Sequence, residues 1–155
     1  MIQKQFRFTF KLGRQWCFAS VCHGVNSVDV EASYICEPLG DLATALTMLY
    51  KSPGWQRTAI WLVEPGQFRW LLDRDKDQVR MRVLWLPHGK DIDSDLGDLL
   101  LDTTAPLKRV ATQVCGQMRQ VLDDWGAGGY QEQWGRDFPF DQLCELADAI
   151  EKADK

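Results

Sequence analysis

Between Phe6 and Leu12 apolar positions alternate with polar ones. Phe6, Phe8, Phe10 and Leu12 stand against Arg7, Thr9 and Lys11, the period of a strand with one buried and one solvated face. Gly13-Arg14 supplies a turn, Trp16 to Val21 returns as a second strand, and a third run through Val28, Val30, Ala32 and Tyr34 follows the turn residues Gly24 to Ser27. At Pro38 the period changes. Leu39, Leu42, Ala43, Leu46, Leu49 and Tyr50 share one face of a helix that Ser52-Pro53-Gly54 stops. Strand character resumes at Ala59 to Val63, Phe68 to Leu72 and Val79 to Leu86, separated by Glu64-Pro65-Gly66 and by the charged turn at 73–77. In the last of these strands Val79, Met81, Val83 and Trp85 share one face, and Arg80 and Arg82 point the other way.

The stretch from His88 to Asp98 has the composition of a loop. A long helix is predicted beyond it, capped by Thr104 with Pro106 in its first turn. Leu107, Val110, Ala111, Val114, Met118 and Val121 follow the helical period as far as Trp125, and Gly126-Ala127-Gly128-Gly129 reads as the stop. A final helix from about Pro139 turns Leu143, Leu146, Ala147 and Ile150 inward. The order βββ-α-βββ-αα predicts a single α+β domain over 1–155. It has an antiparallel sheet of about six strands, with helices packed on one face. The other face is expected to be solvated and partly basic, through Arg7, Lys11, Arg80 and Arg82.

Composition sharpens this picture. A chain of 155 residues, 45% hydrophobic with seven Trp, has enough apolar surface to build a core without disulfides or metal. The opening residues alternate apolar with charged side chains where a secretory leader has an unbroken apolar run, and no stretch is apolar enough to span a bilayer. The expectation is a cytoplasmic protein with no membrane association. Five cysteines without a C-x-x-C spacing predict reduced, mostly buried thiols.

The net charge of −4 conceals a polarity. Residues 1–90 carry 12 Lys/Arg against 8 Asp/Glu, whereas residues 91–155 carry 6 against 14. Asp91, Asp93, Asp95, Asp98 and Asp102 fall within twelve residues that hold no basic side chain. Such a field repels nucleic-acid phosphates and attracts a basic partner.

No constellation of catalytic type emerges. Asp91-x-Asp93-x-Asp95 has the opening spacing of a calcium loop, but glycine falls at position 7 instead of 6, and position 12 is Asp102 instead of Glu. Cys22-His23 would need both side chains on one side, and adjacent strand residues face opposite ways. Glu37 and Glu64 each precede a proline at an element boundary, and nothing in the sequence brings them together. No metal site, cofactor or catalytic residue is assigned. Trp55 and Trp134 fall in predicted loops, where an exposed indole can anchor an interface.

Two stretches carry a resemblance. They are Trp61-x-x-Glu64-Pro65-Gly66-x-x-x-Trp70, and Tyr130-x-x-x-Trp134-Gly135-x-x-Phe138-Pro139-x-x-x-Leu143-x-x-Leu146. With the helix start Pro38-Leu39-Gly40-Asp41-Leu42, they resemble a group of small bacterial proteins, some of which look like immunity proteins of polymorphic toxin and contact-dependent growth inhibition systems. The resemblance covers most of the chain as a layout of turn and core residues. It implies a non-enzymatic protein that binds and neutralises a cognate toxin domain, with nucleases among the candidate toxins, by direct contact. The partner surface expected on this basis comprises Asp91, Asp93, Asp95, Asp98, Asp102, Trp134 and Asp137. The rival expectations are an adaptor or chaperone-like binding module, and a small enzyme with its site on the open sheet face.

Overall fold

The computed structural model describes residues 3–87 and 97–155. Three strands, β1 (Gln3–Leu12), β2 (Trp16–Gly24) and β3 (Asn26–Ser33), form an antiparallel sheet in the order β1-β2-β3. After helix α1 (Pro38–Lys51), strands β4 (Arg57–Val63), β5 (Gly66–Asp75), β6 (Gln78–Leu86) and β7 (Asp98–Pro106) form a second antiparallel sheet in sequential order. Helices α2 (Leu107–Trp134) and α3 (Phe140–Ala153) complete the chain. The protein is thus α+β with antiparallel sheets. Among the described residues it has seven strands in two sheets where the sequence pattern predicts about six in one.

The two sheets are distinct because β3 meets β4 through side chains instead of a backbone ladder. Ser33 Oγ donates to the Leu62 carbonyl at 3.2 Å, and the Leu62 amide donates to Cys36 Sγ at 3.4 Å. At its other end β3 lies beside β7, where Asn26 and Ser27 share a groove with Leu99, Leu100 and Leu101. The strand therefore crosses the second sheet from one edge toward the other. Aromatic rings fill the space between the sheets: Phe8 packs edge-on against Trp70, Phe10 edge-on against Trp61, and the two indoles lie 5.1 Å apart. One core of buried side chains draws on all ten elements.

The seventh strand replaces the expected helix start. Leu101, Thr103 and Ala105 are buried alternately with exposed Asp102, Thr104 and Pro106, the period of two that marks a strand. Thr104 accordingly pairs with Arg80 in the ladder and caps nothing, and α2 begins only at Leu107. At the far end of α2 the expected stop is an interruption. Gly126 takes φ 70°, ψ 170°, a conformation open to glycine alone, and the helix then resumes to Trp134 before Gly135 closes it in a left-handed turn.

Helix α2 closes the open edge of β1 while turning Val110, Ala111, Val114 and Met118 into the core. Arg109 Nε donates to the Phe6 carbonyl at 2.8 Å, and the Phe8 and Phe10 amides donate to Gln113 Oε1 at 3.1 Å and Gln117 Oε1 at 2.9 Å. Four helical residues advance by about 6 Å and two strand residues by about 6.8 Å, so side chains at 109, 113 and 117 meet every second strand position. No helix among the described residues is long and apolar enough to cross a membrane.

Candidate functional site

Between Val83–Leu84 and Leu101–Leu99 the β6–β7 register slips by one residue, leaving Leu100 as the extra residue of a β-bulge. Strict alternation would bury one of two consecutive leucines. The bulge lets Leu99 and Leu100 both reach solvent, 56% and 41% exposed. Val25 at the β2–β3 turn is 84% exposed and lines the same groove of about 360 Å³. His23 joins the two elements, its Nδ1 lying 2.7 Å from Thr103 Oγ1. Asp98 and Asp102 flank the leucines. The result is an apolar patch with an acidic margin at the start of β7.

Asp102 is not a free charge. Arg80 grips it with two hydrogen bonds, at 2.9 Å from Nε and 2.7 Å from Nη2, and these hold its carboxyl below the usual aspartate range. Arg82 is likewise engaged, with Asp73 at 3.1 Å. The outward face of the second sheet is therefore not the basic surface expected from Arg80 and Arg82, because each arginine has a cross-strand aspartate. The same face also buries a separate cluster of Leu71, Leu84 and Leu86.

The residues expected at the partner surface are dispersed. Asp98 and Asp102 both lie on β7, four residues apart, whereas Asp91, Asp93 and Asp95 lie outside the described residues. Asp137 is exposed on the turn between α2 and α3, beside Phe138, Phe140 and Asp141. Trp134 is no surface anchor. The resumption of α2 beyond Gly126 places it one turn after Tyr130, fully buried, with its indole N–H donating to the Cys36 carbonyl at 3.1 Å. Of the two loop tryptophans only Trp55 is exposed. Val25, Leu99 and Leu100 escaped the sequence reading. The run Leu99-Leu100-Leu101 was the available signal, since three successive leucines beside aspartates fit neither a solvated loop nor an alternating strand.

The groups considered for chemistry are apart or engaged. Cys22 faces outward opposite Arg7 and Ser27, while His23 packs edge-on against Phe6 and contacts Thr103. Cys36 donates to the Ser33 carbonyl at 3.3 Å, and burial pushes its thiol above the usual cysteine range, as it does for Cys17 and Cys115. Glu37 is ion-paired with Arg136 at 3.6 Å. Among the described residues no group of three His, Cys, Asp or Glu side chains is placed to hold a metal ion. No protein-family model matches the chain, and no curated protein matches it significantly.

Proposed function

We propose that the protein acts by binding another protein through the start of β7, with Val25, Leu99 and Leu100 as the apolar centre and Asp98, with Asp91, Asp93 and Asp95 preceding it in sequence, as the source of negative charge. Within that class the reading is an immunity protein, which neutralises a basic bacterial toxin domain in the cytoplasm by direct contact and without catalysis. The observation that carries it is the bulge at Leu100, which exposes two adjacent leucines next to Asp98. An apolar centre with a polar rim is the anatomy of a protein interface, in which buried anchors set the lifetime and rim charges set the encounter rate. The resemblance carried by the Trp61–Trp70 and Tyr130–Leu146 stretches supports the choice of a toxin as partner.

The test is co-expression with the toxic domain encoded immediately upstream, read as growth and co-purification. Survival with a stable 1:1 complex is the expected result. Leu100→Asp should then weaken the complex at least tenfold, about 1.4 kcal/mol, mainly through faster dissociation. Asp98→Lys should slow association about threefold or more at low salt, with less effect at high salt. Continued killing by the toxin, or no toxin gene upstream, overturns the immunity reading and shifts it to an adaptor.

A further inference from the structure

In an antiparallel ladder a strand sends its N–H and C=O groups alternately toward its neighbour and away from it, so every second residue of an edge strand offers both groups outward. On β4, the first strand of the second sheet, Leu62 fixes which residues these are, because its amide and carbonyl bond outward to Cys36 and Ser33. Counting back by two, Ile60 and Thr58 also point outward. Among the described residues nothing bonds to their outward groups. On β1, by contrast, α2 takes one outward group at each of three alternate residues, the Phe6 carbonyl and the Phe8 and Phe10 amides. An edge left open is a template for another strand.

The open stretch borders a groove of about 430 Å³ between α1 and β4. Asp41, Thr44 and Met48 form its helical wall, and Arg57, Thr58 and Ile60 its strand wall. Two contacts set the direction of the helix along the strand. Trp61 Nε1 donates to the Pro38 carbonyl at 3.0 Å, and Arg74, two residues beyond the Leu72 that pairs with Arg57, donates to the Leu49 carbonyl at 3.0 Å. Asp41 therefore stands toward Ile60, and Met48 toward Arg57. Residues 41 to 48 of the helix and 57 to 60 of the strand each span about 10 Å, so the two walls are matched in length. At the Arg57 end Trp55 is 71% exposed, and Arg57 Nε is buried without a hydrogen-bond partner.

We propose that this groove takes an extended segment of another protein, which adds to β4 as a fifth strand and sets a basic side chain beside Asp41. Outward amide and carbonyl pairs repeating every second residue match the backbone of an extended peptide, and the alternate side chains of that peptide would meet Thr44 and Met48. Because α1 stands along the edge, a second copy pairing there would bring its own α1 against the first, whereas a lone strand fits between the walls. The groove lies on the edge opposite β7, so its test is separate from that of the toxin-binding surface.

Random nine-residue peptides displayed on phage, panned against the whole chain, supply the probes, which are then titrated as free peptides. Thr58→Pro is the diagnostic variant, since its amide points away from β5 and proline there removes the outward donor while sparing the β4–β5 ladder. The expected result is a set of peptides with Lys or Arg near one end, whose affinity falls at least tenfold in Thr58→Pro and in Asp41→Lys. In the unaltered protein, hydrogen exchange of the Thr58 and Ile60 amides should slow at least tenfold on peptide binding, a readout that needs no variant to fold. The proposal is overturned by no enrichment over the unselected library, by equal affinity for a folded Thr58→Pro, or by unchanged exchange at 58 and 60. A wild-type dimer that Thr58→Pro converts to a monomer also overturns it, by assigning the edge to a second copy.

Discussion

Two indole N–H groups hold the entry to α1. Trp134 donates to the Cys36 carbonyl and Trp61 to the Pro38 carbonyl, so the residues before and after Glu37 each have their carbonyl tied to a buried ring. Trp134→Phe keeps most of the packing but leaves the Cys36 carbonyl without this donor, and should lower the unfolding free energy in urea by about 1–3 kcal/mol. Trp134→Ala adds a cavity and should cost about 3–5 kcal/mol. Glu37, held between these two anchors, is also a pH sensor of stability. Burial pushes its carboxyl above the usual glutamate range, with Arg136 opposing the shift. A carboxyl raised in the folded state makes that state bind more protons than the unfolded chain. Its stabilising contribution is therefore complete below the ordinary value of about 4.3 and is lost as pH rises toward the folded pKa. Burial raises Asp41 in the same sense. Urea titrations from about pH 4 upward should show a smaller fall in stability for Glu37→Gln than for the unaltered protein, and an identical fall would remove Glu37 from the account.

At the scale of elements, the strands and helices with one unbroken period were legible in the sequence. The alternation from Phe6 to Leu12 and the 3.6 period from Leu39 to Leu49 appear as β1 and α1, because in both the apolar face coincides with the buried face. The failures fall where one residue type serves two structures. Thr104 and Pro106 fit a helix cap, yet Leu101, Thr103 and Ala105 had already set a strand that uses Pro106 as its last residue. Gly126 does break α2, but the helix restarts within the glycine-rich run, and that restart carries Trp134 into the core instead of into a loop. The candidate site was half legible: charge alone pointed to Asp98 and Asp102, while the bulge that exposes Leu99 and Leu100 depends on a register between strands that no local pattern encodes. The two kinds of glycine in α2 can be separated by substitution. Gly126→Ala forces a side chain into a left-handed conformation and should destabilise by about 1–3 kcal/mol. At Gly116, inside the same helix, an added Cβ meets nothing within 4 Å, and Gly116→Ala should stabilise by about 0.8–1 kcal/mol. Chemical denaturation of the two variants measures both signs.

For the molecule as a whole, the strand edges are treated in two ways: α2 covers part of β1, and β4 is left open at Thr58 and Ile60. Removing both glutamine acceptors, Gln113→Ala with Gln117→Ala, should expose the Phe8 and Phe10 amides, speed their hydrogen exchange at least tenfold and promote self-association visible by light scattering. A protein that stays monomeric with unchanged exchange would show that packing of α2 alone protects β1. The ladder from Arg109, Gln113 and Gln117 to β1 also spans 103 to 107 residues of sequence. During synthesis at about 5–20 residues per second, β1 and β2 emerge roughly 5–20 s before the helix that seals them. Throughout that interval the nascent sheet carries an uncapped phenylalanine-rich strand. The ribosome-bound chain, more than the finished protein, is the stage at which a chaperone or a neighbouring chain meets it.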